Sequence, residues 1–270
     1  MVLLVDPFLF TIRRSFAMNN VVKTKLQQGG TAVGCFIGFH SPTLVEMLGD
    51  SGFDFVVIDN EHGPFSWSEV EEMVRAAELA GTVPIVRVAY DASDIQKALD
   101  RGAYGIHVPM VNTREQAQEV VQRAQFPPAG KRGTAYSVRS ARYGTRGGAD
   151  YLKASNEQIL IAVHIETPQA VENIEEIMNV QGIDIFYIGP TDLSVTMGYA
   201  VEGPEHAEVQ KAMETVLTCG RKLGRTVGIQ VGSAAGVTAQ LNWGAKYVGV
   251  GITPVLYSAF KEVSNAGKQK

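Results

Sequence analysis

Two carboxylates define the chemistry open to this chain. Within residues 159–192, ILIAVHIETPQAVENIEEIMNVQGIDIFYIGPTD, two apolar runs each deliver an acid: Glu166 directly after 159–165, and Asp192 just past 183–188 through Gly189 and Pro190. Consecutive parallel strands joined by a helix commonly lie side by side. Both acids then open from one sheet edge and can converge on a hard cation, with water and substrate oxygens filling the remaining positions. The pair is a candidate metal site.

Other apolar runs end in groups that complement it. Asp59, Asn60, Glu61 and His62 follow one run, Arg87 sits in another, His107 lies near the end of a third, and His164 precedes Glu166. Asp59 and His62 are close enough in a turn for the carboxylate to fix the imidazole tautomer and raise its basicity, which makes a general base for neutral pH. The alternative is a loop histidine held by a capping bond. Arg87 offers planar donors to a carbonyl or carboxylate oxygen and would stabilise enolate charge in a barrel mouth; a satisfied strand-end arginine is the other reading. The turn Gly189-Pro190-Thr191-Asp192 enters a helix-like segment at Leu193, and its free backbone N–H groups could hold a substrate carboxylate. Together these parts fit a divalent metal polarising a 2-oxo acid, a base moving one proton, and an arginine at the enolate oxygen. The reaction class is carbon–carbon bond cleavage or formation. A Schiff-base route lacks its lysine, because Lys246 opens a run at its opposite end and Lys131 lies in a long loop.

The elements that must position these groups are legible as a repeat. Short apolar runs at 32–37, 53–58, 84–88, 104–108, 159–165, 183–188, 226–231 and 246–250 alternate with amphipathic segments, the pattern of a closed (β/α)8 TIM barrel; an open doubly wound sheet is the alternative. Ser41-Pro42, Thr167-Pro168 and Thr253-Pro254 each place a capping hydroxyl before a proline suited to a first helical turn. Thr113 with Gln116 reads as a capping box. From Ser68 a helix buries Val70, Met73, Val74 and Ala77. One connection, 112–158, exceeds a simple crossover. Its Arg132, Arg139, Arg142 and Arg146 with Tyr136 and Tyr143 could close over an anionic substrate, or form a solvated surface loop. The glycine-rich stretches 232–236 and 249–251 read as tight turns or as a phosphate site.

Length and composition bound the function. The 270 residues, 45% hydrophobic and 19% charged, suit one domain at 31–270 preceded by an extension at 1–30. The first 17 residues read as sequence upstream of a start at Met18, or as a weak organellar leader. A net charge of −4 with interspersed signs gives no basic stripe for nucleic acid and no membrane anchor, so the expected partner is a small molecule. Cys35 and Cys219 stand apart from any CxxC or Cys/His pattern, which fits a reducing, cytoplasmic setting.

Seven motifs in order carry a family resemblance: DNEHGP at 59–64, PIVRV at 84–88, LDRG at 99–102, VPMV at 108–111, FPPAGKRG at 126–133, HIET at 164–167 and IGPTDLS at 188–194. Over roughly 34–257 the chain resembles the HpcH/HpaI class II (metal-dependent) pyruvate aldolases, which include macrophomate synthase. The resemblance implies that Glu166 and Asp192 are the protein ligands of Mg2+, Mn2+ or Co2+, which chelates pyruvate or oxaloacetate. It implies an Asp59–His62 acid/base dyad, Arg87 at the keto oxygen, and Gly189, Thr191 and Asp192 as backbone contacts to the carboxylate. Asp100 matches an aspartate that approaches a neighbouring subunit's site, in a hexamer (a trimer of dimers) with an exchanged C-terminal helix, here about 254–263. Departures are His164, where glutamine is expected, His107 at an apolar position, and GPFSW after His62. Each histidine is open as a core residue or a substrate contact. The implied activity is cleavage or formation of a 4-hydroxy-2-oxo acid from pyruvate and an aldehyde. Oxaloacetate decarboxylase or macrophomate synthase-like chemistry would use the same centre, and a non-catalytic phosphate-binding barrel is the reading from another class.

Overall fold

A computed structural model describes residues 19–89 and 91–268. Eight strands form a closed, fully parallel barrel in chain order: β1 (Ala32–Ile37), β2 (Phe55–Asp59), β3 (Val83–Arg87), β4 (Gly105–Val108), β5 (Leu160–Ile165), β6 (Ile185–Ile188), β7 (Thr226–Val231) and β8 (Tyr247–Gly251), with β8 pairing back onto β1. The alternation of apolar runs is thus the closed (β/α)8 arrangement and not the open sheet. Both faces of such a strand are covered, which is why the runs are continuously apolar. Phe36, Phe55, Val57, Ile85, Leu160 and Tyr187 belong to the cluster that fills the interior, while Val56, Ile58, Ile161 and Val163 pack in the layer under the helices. The filling is tight. A Cβ at Gly34 would lie 2.2 Å from the Phe55 ring, so a large side chain on β2 requires none on β1.

Capping chemistry fixes several helix starts. Ser41 and Thr167 accept the N–H groups of Leu44 and Ala170 at 3.2 and 3.1 Å, and Thr113 with Gln116 forms the expected box. A second box, Ser66 with Glu69, starts helix Trp67–Leu79 one residue before Ser68. Thr253 is not a cap, in contrast to the sequence expectation. Helix Ile252–Ala266 begins directly at the end of β8 with Gly251 as its N-cap residue. Two short helices, Pro168–Glu172 and Ile174–Met178, replace the single helix expected between β5 and β6.

The barrel unit extends ahead of residue 31. Helix Val21–Gln27 closes the amino-terminal end of the barrel: Val22 and Leu26 join the interior cluster, and Asn20 Nδ2 donates to the carbonyls of Tyr104 (2.9 Å) and Gln158 (3.0 Å). The expectations for residues 1–17 lie outside the described residues. The long β4–β5 connection also packs at this end. Arg132 pairs with Asp100 at 2.8 Å, Arg139 with Glu78 at 2.6 Å, and Arg139, Arg142 and Tyr143 share a cavity with Asn19, Val83 and Tyr104 at the strand starts. These arginines and tyrosines therefore do not form a lid over the carboxyl ends of the strands. The charges of Arg132, Arg139 and Arg142 are used in ion pairs that hold the loop to the two earlier helices, Trp67–Leu79 and Ala92–Asp100. Among the described residues no helix is long and apolar enough to cross a membrane.

Candidate active site

The carboxyl ends of β2, β3 and β5 bring together one arginine and three acids. Asp59 and Arg87 are the last residues of their strands and are directly paired in register. Neighbouring inward side chains at one level can meet, and the guanidinium forks onto the carboxylate: Arg87 Nε donates to Asp59 Oδ1 at 2.8 Å and Nη2 to Oδ2 at 2.5 Å. Arg87 Nη1 lies 3.1 Å from Glu61 Oε2, without the alignment of a hydrogen bond. Burial works against the Arg87 charge, but the Asp59 hydrogen bond and the charges of Asp59, Glu61 and Glu166 outweigh it and hold its pKa above the ordinary value.

In this geometry the Asp59 carboxylate pairs with Arg87 and not with the His62 ring. Asp59 Oδ1 does accept the backbone N–H groups of Glu61 and His62, each at 3.3 Å. Asp59 thus shapes the turn, while both its oxygens bond the arginine. The carboxylate beside the His62 ring is that of Glu61, 3.6 Å from Nε2, and the imidazole is 62% exposed. In the sequence Glu61 stood among the polar residues that follow the second apolar run, with no role of its own. Burial pushes its carboxyl above the ordinary range, against the pull of Arg87 and His62.

Glu166 projects inward from the end of β5 and is 3% exposed. Its Oε1 accepts the Met110 N–H at 2.7 Å, and its Oε2 lies 3.2 Å from His164 Nδ1. Met110 delivers that N–H from a left-handed backbone, φ 55°, a strained conformation for a side chain of its size. Burial opposes ionisation of Glu166. The hydrogen bond and charge of His164, the Met110 N–H and Arg87 together outweigh it and lower the pKa. Gly189 must be glycine, because a Cβ there would stand 2.5 Å from Glu166 Oε2. Asp192 is exposed in the first turn of helix Pro190–Thr196. The Thr196 hydroxyl pins its main chain to that of Glu166, lying 2.8 Å from the Glu166 carbonyl oxygen and 2.9 Å from that of Asp192.

His164 lies in the core of the barrel. It is 1% exposed, and both its ring nitrogens are bonded within the protein, to Glu166 and to His107. Asp100 also stays outside this group within the chain. It ends helix Ala92–Asp100, five residues before the start of β4, where it binds Arg132.

The donor set can be tested for a cation. Three buried carboxyl groups, Asp59, Glu61 and Glu166, surround a single guanidinium, leaving excess negative charge, and each Glu166 oxygen accepts only one hydrogen bond. No cluster of three or more His, Cys, Asp or Glu with metal-ligand geometry occurs among the described residues. The oxygen donors that could hold a hard divalent ion are Glu166 and, from the next strand's end, Asp192, with water and substrate oxygens for its other positions. A cavity of about 570 Å³ opens beside the group, running from Phe36 and Asp59 past Thr191 to Gln230 and Gln240. The glycine-rich turns border it, but among the described residues its wall carries Glu205 and no lysine or arginine, and Ser233 caps the adjoining helix by accepting the Gly236 N–H at 3.1 Å. A phosphate would find no cation there.

The comparisons with known proteins agree with this geometry. A family model for HpcH/HpaI aldolase/citrate lyase matches residues 32–259. The 4-hydroxy-2-oxo-heptane-1,7-dioate aldolase of Escherichia coli is 35% identical over 246 residues, covering 91% of this chain and 93% of that protein. The 2-keto-3-deoxy-L-rhamnonate aldolase of Salmonella gallinarum is 34% identical over 243 residues, covering 89% of this chain and 90% of that protein. The crystal structure of an HpcH/HpaI aldolase/citrate lyase family protein from Burkholderia cenocepacia superposes with a TM-score of 0.88 at 30% identity, covering 93% of this chain and all of that one. With the barrel and these relatives in agreement, the chain belongs to the HpcH/HpaI aldolase/citrate lyase family and is a carbon–carbon lyase of that type.

Proposed function

We propose that this chain is a metal-dependent aldolase that cleaves or forms a 4-hydroxy-2-oxo acid, with pyruvate as one product or reactant and an aldehyde as the other. The observation that carries the reading is the single buried arginine set among Asp59, Glu61 and Glu166 at the mouth of the barrel. A divalent cation on Glu166 and Asp192, Mg2+, Mn2+ or Co2+, supplies Lewis-acid polarisation of the keto oxygen. Arg87 sets a permanent positive charge where enolate charge develops, already oriented by its fork onto Asp59. No side chain caps helix Pro190–Thr196, so the amides of Thr191 and Asp192, with Gly189, are available to the substrate carboxylate. His62, exposed at the rim beside Glu61, takes the proton of the 4-hydroxyl during cleavage and returns it in the reverse direction.

The cavity narrows the aldehyde. With no lysine or arginine in its wall, it favours an uncharged, hydrogen-bonding aldehyde over one that ends in a carboxylate. Pyruvate release from 4-hydroxy-2-oxo acids with neutral and with carboxylated tails, with and without EDTA and added Mn2+, tests both statements. Release should require the metal and favour neutral tails. Decarboxylation of oxaloacetate without any aldehyde cleavage would replace this reading by the decarboxylase or macrophomate synthase-like one.

The assembly we propose is a hexamer with exchanged C-terminal helices. Helix Ile252–Ala266 leaves the barrel with Tyr257, Phe260 and Val263 61%, 63% and 76% exposed, an apolar face left uncovered among the described residues. Exchange would cover it and would bring Asp100 toward a neighbour's site. Sedimentation equilibrium should return a hexamer, and a stable monomer would refute the exchange.

A further inference from the structure

Glu166 is held from behind by a chain of side chains that crosses the barrel interior. His164 Nδ1 lies 3.2 Å from Glu166 Oε2, His164 Nε2 lies 2.9 Å from His107 Nδ1, and His107 Nε2 lies 2.9 Å from the Tyr247 hydroxyl. His107 and Tyr247 are completely buried, so none of these contacts is shared with bulk solvent. Each contact needs one proton, and with one proton on each ring a single assignment fills all three. Tyr247 O–H donates to His107 Nε2, His107 Nδ1–H donates to His164 Nε2, and His164 Nδ1–H donates to Glu166 Oε2. The carboxylate can only accept, which sets the direction at one end. At the other end burial holds the Tyr247 phenol well above its ordinary value, so it keeps its proton. Burial, the largest cause, pushes His107 well below its ordinary value, so its ring is neutral and has one donor and one acceptor. The rings are also wedged in place: His107 and His164 meet edge to face at 5.2 Å, and Tyr187 packs against both at 4.9 Å.

We infer that Tyr247, His107 and His164 are positioning residues that fix the orientation of the Glu166 carboxylate, so that with Oε1 on the Met110 N–H its remaining lone pairs face the barrel mouth. The inference rests on the reading of Glu166 as a cation ligand. Groups that hydrogen-bond a metal-binding side chain orient it and tune its affinity. Here they reach it from β4, β5 and β8, so barrel closure itself sets the ligand.

Two measurements test it. In metal-free protein with 15N-labelled histidine, long-range 1H–15N spectra should show a proton on Nδ1 of both His107 and His164. An Nε2–H tautomer at either ring overturns the chain. In Mn2+ titration calorimetry, His164→Leu should weaken binding by roughly 10- to 100-fold, while His164→Gln, whose amide can donate to Glu166, should restore most of it. Tyr247→Phe keeps the ring stack on Phe55 at 4.1 Å and loses only the terminal donor, so its affinity should fall between these. Melting curves of the metal-free variants check folding; if His164→Leu does not fold, His164→Gln and Tyr247→Phe carry the comparison. Mn2+ affinity unchanged by Tyr247→Phe and by any folded His164→Leu overturns the positioning role alone. A wild-type protein that takes up no Mn2+ overturns the metal reading and this role with it.

Discussion

Glu166→Gln should slow pyruvate release from a 4-hydroxy-2-oxo acid about a thousandfold, because Lewis-acid catalysis is worth several kcal/mol and about 4 kcal/mol corresponds to three decades in rate. The change is nearly isosteric. The amide oxygen can still accept the Met110 N–H, now at 2.7 Å, but the amide NH2 then faces His164 Nδ1–H, so the hydrogen bond from His164 is lost. What disappears is a charge that the native site works to keep: burial opposes it, and His164, Met110 and Arg87 together prevail. Mn2+ affinity should fall with the rate. Oxaloacetate decarboxylation, if the native chain performs it, should fall by the same factor, since both reactions would draw on one enolate centre. Equal losses separate damage to that centre from damage to aldehyde recognition, which would spare the decarboxylation. Pyruvate release that survives both the substitution and EDTA sinks the metal assignment.

What the sequence made legible was what depends on local pattern. Continuous apolar runs separated by amphipathic segments are readable without knowing their partners, and they put Arg87 and Glu166 at strand ends where the structure has them. Ser41, Thr113 and Thr167 were equally legible, because a cap is settled within four residues. Non-local facts decided the rest. Asp59 lies three residues from His62 and 28 from Arg87, yet the β2–β3 register sets it opposite the arginine, and two charged hydrogen bonds there outcompete one to an imidazole. Arginines and tyrosines in the long connection suit a lid and a floor alike, and only the ion pairs with Asp100 and Glu78 show which end of the barrel they serve. The two histidines were open as core residues or substrate contacts, because neither reading included a phenol 140 positions from His107. Thr253 misled because the chain passes from β8 into its helix without an intervening turn.

Arg87→Lys should lower kcat about 100- to 1,000-fold, the loss typical of removing one preorganised donor from a developing oxyanion, with KM little changed. The native guanidinium uses three nitrogens at once: Nε and Nη2 on Asp59, and Nη1 beside Glu61. A lysine ammonium brings the same charge on a shorter reach and without the planar fork, so it can answer Asp59 or the substrate oxygen but not hold a fixed position for both. Because the charge remains, the fold should persist. Arg87→Met is the contrasting case. It leaves Asp59 and Glu61 buried without their counterion, and breaking a buried pair in this way costs about 3–5 kcal/mol. Steady-state kinetics and thermal melts on the two variants separate the roles of one side chain. A lysine variant that melts near the native temperature but has lost the rate places Arg87 at the reacting oxygen. A lysine variant with native kcat reduces Arg87 to a clamp for its neighbouring acids, and the enolate would then need another donor, which no other arginine or lysine described in this barrel mouth is placed to supply.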